Sequence, residues 1–221
     1  MSNERKSFAS MNMDLFIRSL CFISIYIGYS LISAAYGDAM LASASIMMKL
    51  LMLFSYFTDG FAYAGEALTG RFIGARDKTR LRISVTWVFV WSLTIALLFI
   101  GVYYGAGVPM LRLLSKDPEV VDACKPFLPW LILMPLFGVV AFTWDGIYIG
   151  ATASRMIRNT MLWSVVAFFS VWFAGLRLLY HYDKVSDENC IHLLMCAYFA
   201  HLAARSIYQT LRYRKAVYIP D

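Results

Sequence analysis

Apolar residues run along this chain in blocks that are long and nearly continuous, and the polar residues between them fall into short clusters, several strongly basic. Uncharged stretches cover 19–37, 83–111, 126–144 and 159–176. A hydrocarbon core of roughly 30 Å takes about 20 helical residues to cross, so each stretch is long enough, or nearly so, to span a bilayer. A fifth span over 39–69 is interrupted only by Lys49, Asp59 and Glu66, and a sixth, shorter and more polar, begins at Asn189. The pattern predicts an all-α integral membrane protein of six transmembrane helices, at 17–37, 39–69, 83–107, 126–147, 158–178 and 189–208, forming a single lobe.

Composition agrees. The 221 residues are 60% hydrophobic and 15% charged, with a mean hydropathy of +0.61, far from the balance of a soluble domain. Lysine and arginine placement then sets the topology, because cytoplasmic segments hold the excess of positive charge. With both termini inside, fourteen of these residues fall in inner segments, among them Arg71, Arg76, Arg155 and Arg158, and five fall outside, diluted by acids such as Asp117 and Asp187. The net charge of +6 is therefore a topology signal and an affinity for anionic headgroups. No basic stripe is interleaved with stacking aromatics, which argues against nucleic acid as a partner. The first span is long for a signal-peptide core and further spans follow it, so it reads as a membrane helix.

The remaining chemistry is sparse. Cys21, Cys124, Cys190 and Cys196 form no CxxC pair; Cys124 and Cys190 both fall in predicted outer segments, but no disulfide between them is expected. His181, His192 and His201 are too scattered to hold a metal, and no HExxH or GxSxG motif accompanies the acids, so the expectation is no metal, no cofactor and no enzyme activity.

Carboxylates in apolar spans are the exception, since a charge at the centre of a span costs about 2.5 to 3.5 kcal/mol even on lenient scales. Asp59-Gly60 and Asp145-Gly146 each close an apolar run and are followed by arginines. The two pairs are separated by 145 − 59 = 86 residues and suggest a repeat of three plus three spans, with both acids at the inner ends of equivalent helices. Asp59 and Glu66, seven residues apart, share one helical face with Tyr56 and Tyr63. Glu66 is also within reach of Arg71 for a structural ion pair. Lys49 lies about 15 Å along the helix from Asp59 and about 80° around it, so any partner lies on another helix, or else its ammonium snorkels. Pro135 falls mid-span, where it frees the carbonyl of Leu131 and predicts a kink. Asp59, Asp145, Glu66 and Lys49 are the candidates for cation coupling. Tyr56, Tyr63 and Trp144 are candidate stacking surfaces for an aromatic cation, or interfacial aromatics.

Three stretches carry a resemblance: Asn12-Met13-Asp14-Leu15-Phe16-Ile17-Arg18, Phe57-Thr58-Asp59-Gly60-Phe61-Ala62-Tyr63-Ala64-Gly65-Glu66-Ala67-Leu68-Thr69-Gly70-Arg71, and Asp145-Gly146-Ile147-Tyr148-Ile149-Gly150-Ala151-Thr152. In this order they closely resemble the C-terminal half of MATE-family efflux transporters of the DinF-like branch. The resemblance implies one six-helix lobe of a twelve-helix fold, a partner lobe (a missing N-terminal half or a second copy) and a central cavity. It also implies proton- or sodium-coupled export of organic, often cationic, compounds across the inner membrane. The proton-binding aspartate of that branch lies on the N-terminal lobe; in the sodium-coupled branch a carboxylate on the tenth helix takes part, and Asp145 falls nearest that position, while Lys49 stands where the resemblance implies a neutral residue. A membrane-embedded enzyme, a non-transporting packing subunit and an inactive remnant are the competing classes.

Overall fold

A computed structural model describes the backbone of residues 2–217 and side chains from residue 9; Arg5 and Lys6, counted above for topology, lie outside the described side chains. Among the described residues seven α-helices follow one another: α1 Ser2–Ala34, α2 Asp38–Gly74, α3 Lys78–Leu114, α4 Pro118–Cys124, α5 Leu128–Gly150, α6 Ser154–His181 and α7 Asp187–Ala216. One tighter turn, Lys125–Phe127, joins α4 to α5. Six helical segments among the described residues are long and apolar enough to cross a membrane, α4 and α5 counting together as the fourth. The protein is a multi-pass membrane protein.

Helix ends depart from the apolar blocks for a physical reason. Outside the hydrocarbon a helix can continue on charged residues, so α2 runs to Gly74, α3 starts at Lys78 and α7 reaches Ala216. Asp77 caps α3, its carboxylate accepting the Arg80 N–H at 2.8 Å, and Ser186 caps α7 by accepting from the Asn189 N–H at 3.2 Å. α4 starts on Asp117-Pro118, an acid cap with proline in the first turn. Pro135 is buried inside α5, which continues through it as one helix.

Helices α2, α5 and α7 form the interior: 56% of the apolar stretch is buried in the fourth and sixth spans, against 17% in α1 and α6. α2 packs on α5 and α3, α6 on α7 and α1, and α7 on α5. The exposed faces of α1, α3 and α6 carry Phe16, Leu31, Trp91, Leu97, Trp163 and Phe173, as lipid-facing helices do. The main core, around Tyr29, Met47, Leu51, Phe54, Leu131 and Leu194, fills the end of the bundle away from the termini. A smaller cluster around Val85, Trp144, Ile147 and Ile157 fills the basic end. Aromatic tips find partners between helices: the buried Tyr103 hydroxyl donates to the Leu50 carbonyl at 2.6 Å and the half-buried Trp130 N–H to His192 Nδ1 at 2.9 Å. Cys124 and Cys190 are both free thiols, each fully buried.

Helices α2 and α5 run parallel and approach backbone to backbone. A Cβ placed on Gly146 would overlap the backbone of Ala62, and one on Gly150 would overlap the backbone of Glu66. Glycines four residues apart on one helix face let two backbones approach where side chains could not. The order of the spans corrects the equivalence on which the three-plus-three repeat rested. Asp59 stands on the second span and Asp145 on the fourth, the first member of its group, and their helices are direct neighbours instead of symmetry mates. Nor is Asp59 at a helix end, since α2 continues about four turns beyond it.

Candidate functional site

Three helices converge on Asp145. Arg18 of α1 donates from Nη2 to Oδ2 at 3.0 Å. From α7, Arg205 donates through Nε to Oδ1 at 3.3 Å and through Nη2 to Oδ2 in a short bond. One turn further along α7, Gln209 donates its amide to Oδ1 at 2.6 Å. Asp145, Arg205 and Gln209 are all buried. The Arg205 guanidinium also lies over the Phe142 ring, 5.5 Å from its centroid. A carboxylate gripped by two arginines and an amide is a fixed charge, held by charge-assisted bonds. The clamp is incomplete: Arg205 Nη1 and Gln209 Oε1 are buried without a hydrogen-bond partner among the described residues.

A second buried acid repeats the chemistry nearer the termini. Asp14 accepts from Arg158 Nη1 at 2.6 Å and from the Ser154 hydroxyl at 2.9 Å, tying the first turns of α6 to α1. Both pairings join residues more than a hundred positions apart, so Asp14 and Arg18, four apart on α1, pair with other helices instead of with each other.

Beside the Asp145 clamp, α1, α2 and α5 enclose a cavity of about 370 Å³. Arg18 and Ser19 line it from α1, Ser55, Asp59, Tyr63 and Glu66 from α2, and Asp145, Gly146 and Arg205 from the floor. Asp59 and Glu66 are half-buried there, and neither takes a hydrogen bond or ion pair among the described residues. The expected Glu66–Arg71 pair does not form. Arg71 points to the Phe72 ring instead, 5.9 Å from its centroid.

Of the residues singled out from sequence, Asp59, Asp145, Glu66 and Tyr63 are thus brought together, and three are not. Lys49 is exposed and outside the cavity, with no partner on another helix among the described residues; ten residues from Asp59 leave its ammonium too far along the axis to join the site. Tyr56 shares the exposed stripe of α2, but does not line the cavity. Trp144 is buried on the other side of α5, where its N–H donates to Thr210 Oγ1 at 2.9 Å. Adjacent helical residues differ by about 100°, which turns Trp144 away while Asp145 faces in. Arg18, Arg205 and Gln209, the partners that define the centre, were not among the sequence candidates. Arg18 and Arg205 fall inside the predicted spans 17–37 and 189–208, and an intramembrane guanidinium is as strong a signal as an intramembrane carboxylate.

The chain is thus a bundle of six long apolar spans with a buried arginine–aspartate centre beside an acid-lined cavity. The family model MatE matches residues 15–176, and the chain belongs to that family. It is 33% identical over 165 residues to the DNA damage-inducible protein F of Escherichia coli (strain K12), covering 72% of this chain and 35% of that protein. It is 25% identical over 122 residues to Protein DETOXIFICATION 42 of Arabidopsis thaliana, covering 55% of this chain and 24% of that one. The fold matches a MOP superfamily transporter from Pyrococcus furiosus, described for the reversed polarity of its binding pocket, with a TM-score of 0.75 at 14% identity, over 95% of this chain and 44% of the other. The chain therefore spans about a third or less of the curated relatives it matches. The resemblance to the DinF-like branch holds, and these relatives are not enzymes.

Proposed function

We propose that this chain is one lobe of a cation-coupled exporter, which works with a second six-helix lobe to move organic cations out across the cytoplasmic membrane in exchange for protons or sodium. Alternating access takes two bundles rocking about a site between them, so a partner lobe or a second copy is part of the reading. The basic ends of the helices and both termini are placed in the cytoplasm by the positive-inside rule.

The observation that carries the proposal is the charge arrangement of the cavity. Two guanidiniums, Arg18 and Arg205, stand against three carboxylates, Asp59, Glu66 and Asp145. With all five ionised, one negative charge remains, which a single proton or sodium ion neutralises. The arginines hold Asp145, so the acids open to an incoming cation are Asp59 and, two turns along the same face, Glu66. In this reading Asp145 sets the field of the cavity and Asp59 takes the coupling ion. Tyr63, exposed at the cavity mouth with Tyr56 on the same stripe, offers π-faces to an aromatic cation.

The test expresses the chain, with and without a matching N-terminal half, in a strain sensitive to aromatic cations. Resistance is expected with the partner, and Asp59→Asn abolishes it at unchanged membrane protein level. Absence of efflux in both arms sinks the transport reading; efflux that survives Asp59→Asn removes Asp59 from coupling.

A further inference from the structure

Away from the Asp145 cavity, α3 and α7 diverge at the basic end of the bundle and leave an open groove of about 950 Å³ between them. Its wall is apolar: Val85, Phe89, Val90 and Leu93 from α3. Its floor is Trp144 of α5, which stacks edge-on against Phe89 with ring centroids 4.7 Å apart and lies against Tyr213 of α7 at 4.9 Å. The rim carries Lys78 and Arg82 from α3 and Arg214 from α7, and no carboxylate lines the groove among the described residues. Arg82 and Arg214 are exposed, and neither forms an ion pair among the described residues. Two guanidiniums from different helices, at one end of an apolar trough on a membrane protein's perimeter, form a device with a direction: charge at the interface, hydrocarbon below.

We propose that this groove is a binding site for an anionic phospholipid of the cytoplasmic leaflet. The phosphate sits between Arg82 and Arg214, and one acyl chain lies along Val85, Phe89 and Leu93 toward Trp144. The arginines supply planar donors matched to phosphate oxygens, and basic pockets between helices on the cytoplasmic side have the charge such headgroups require. A zwitterionic headgroup would add an ammonium beside two guanidiniums, so the site selects against it. The lipid wedges two helices that make little contact with each other, and its place on the opposite side of α5 from the cavity leaves the transport site free.

Native mass spectrometry of the purified chain in detergent, offered phosphatidylglycerol or phosphatidylcholine, tests this. Phosphatidylglycerol is expected to be retained as a one-to-one adduct in preference to phosphatidylcholine. The Arg82→Gln, Arg214→Gln double variant is expected to bind it about thirtyfold more weakly, taking about fivefold per cation near the headgroup plane. Leu93→Trp, which fills the trough with both arginines intact, is expected to weaken it as well, and Arg112→Gln at the far end to leave it unchanged. Equal retention of the two lipids, or undiminished binding by the double variant and by Leu93→Trp, overturns the proposal. So does binding of inorganic phosphate as strong as that of the lipid, which leaves the trough without a role. Loss of a dimeric species in the double variant, with lipid retained, would assign the groove to a second copy and overturn it equally.

Discussion

On α5, Asp145 accepts hydrogen bonds from Arg18, Arg205 and Gln209, and the next residue, Gly146, presses against the backbone of Ala62. On α2, Asp59 takes no hydrogen bond among the described residues, and a Cβ on Gly60 would meet nothing within 4 Å. The same dipeptide, at the same depth of the bundle, is thus a structural joint on one helix and an open acid on the other. Helix burial accounts for the difference. α5 is enclosed by α2, α3 and α7, so a carboxylate there must be paired, because a buried unpaired charge is too costly. α2 presents a long exposed stripe, and the cavity beside it lets Asp59 remain unpaired.

The comparison is broken most directly at Asp145. Asp145→Ala leaves Arg205 buried without a counter-charge, and loss of one partner of a buried pair costs about 3–5 kcal/mol. Chemical unfolding in mixed micelles is expected to register that loss, and Asp145→Ala combined with Arg205→Leu to recover much of it. If Asp145→Ala costs no more than Asp59→Ala, the two acids are equivalent and the contrast fails.

Gly146→Ala comes next. The added methyl has no free volume and forces α2 and α5 apart, an overpacking cost of about 1–3 kcal/mol. Gly150→Ala meets the Glu66 backbone in the same way and should behave alike. A melting temperature unchanged by both substitutions would mean that the α2–α5 approach is not as close as the backbone positions require.

The legible and the hidden parts of this protein divide by cause. Six spans could be read because the bilayer demands long apolar blocks, and Asp59 with Glu66 could be placed on one face because helical periodicity is fixed. The short helix α4 was signalled by Asp117-Pro118, although only the apolar run after it was read as a span. Pairings between distant helices could not be read: Arg18 with Asp145 and Asp14 with Arg158 depend on tertiary packing, which no local pattern encodes. The Gly146-xxx-Gly150 spacing was in plain view, and its meaning depended on knowing which helix it faced. Trp144 misled because its neighbour is the site residue, and one step along a helix turns a side chain through about 100°.

Gly60→Ala is the smaller companion to Gly146→Ala. With open space at the Cβ position, alanine removes only the conformational freedom of a mid-helix glycine, so a gain of about 0.5–1 kcal/mol is expected where the α5 substitution loses stability. The opposite signs are the sharpest test of the comparison, since both changes add the same methyl group. Loss of stability at Gly60 would mean that something covers that face of α2.

Asp59→Asn should have the least effect on stability of all. The carboxylate makes no hydrogen bond to lose and the amide is nearly isosteric, so a change within about 0.5 kcal/mol is expected, as for a substitution away from packing features. Measured beside Asp145→Asn in the same micelles, it separates two roles that one activity assay would merge: an acid held for the fold and an acid left open for a cation. A destabilisation by Asp59→Asn comparable to that of Asp145→Asn would make Asp59 a second structural charge, and would move the search for the coupling group to Glu66, the remaining unpaired carboxylate of the cavity.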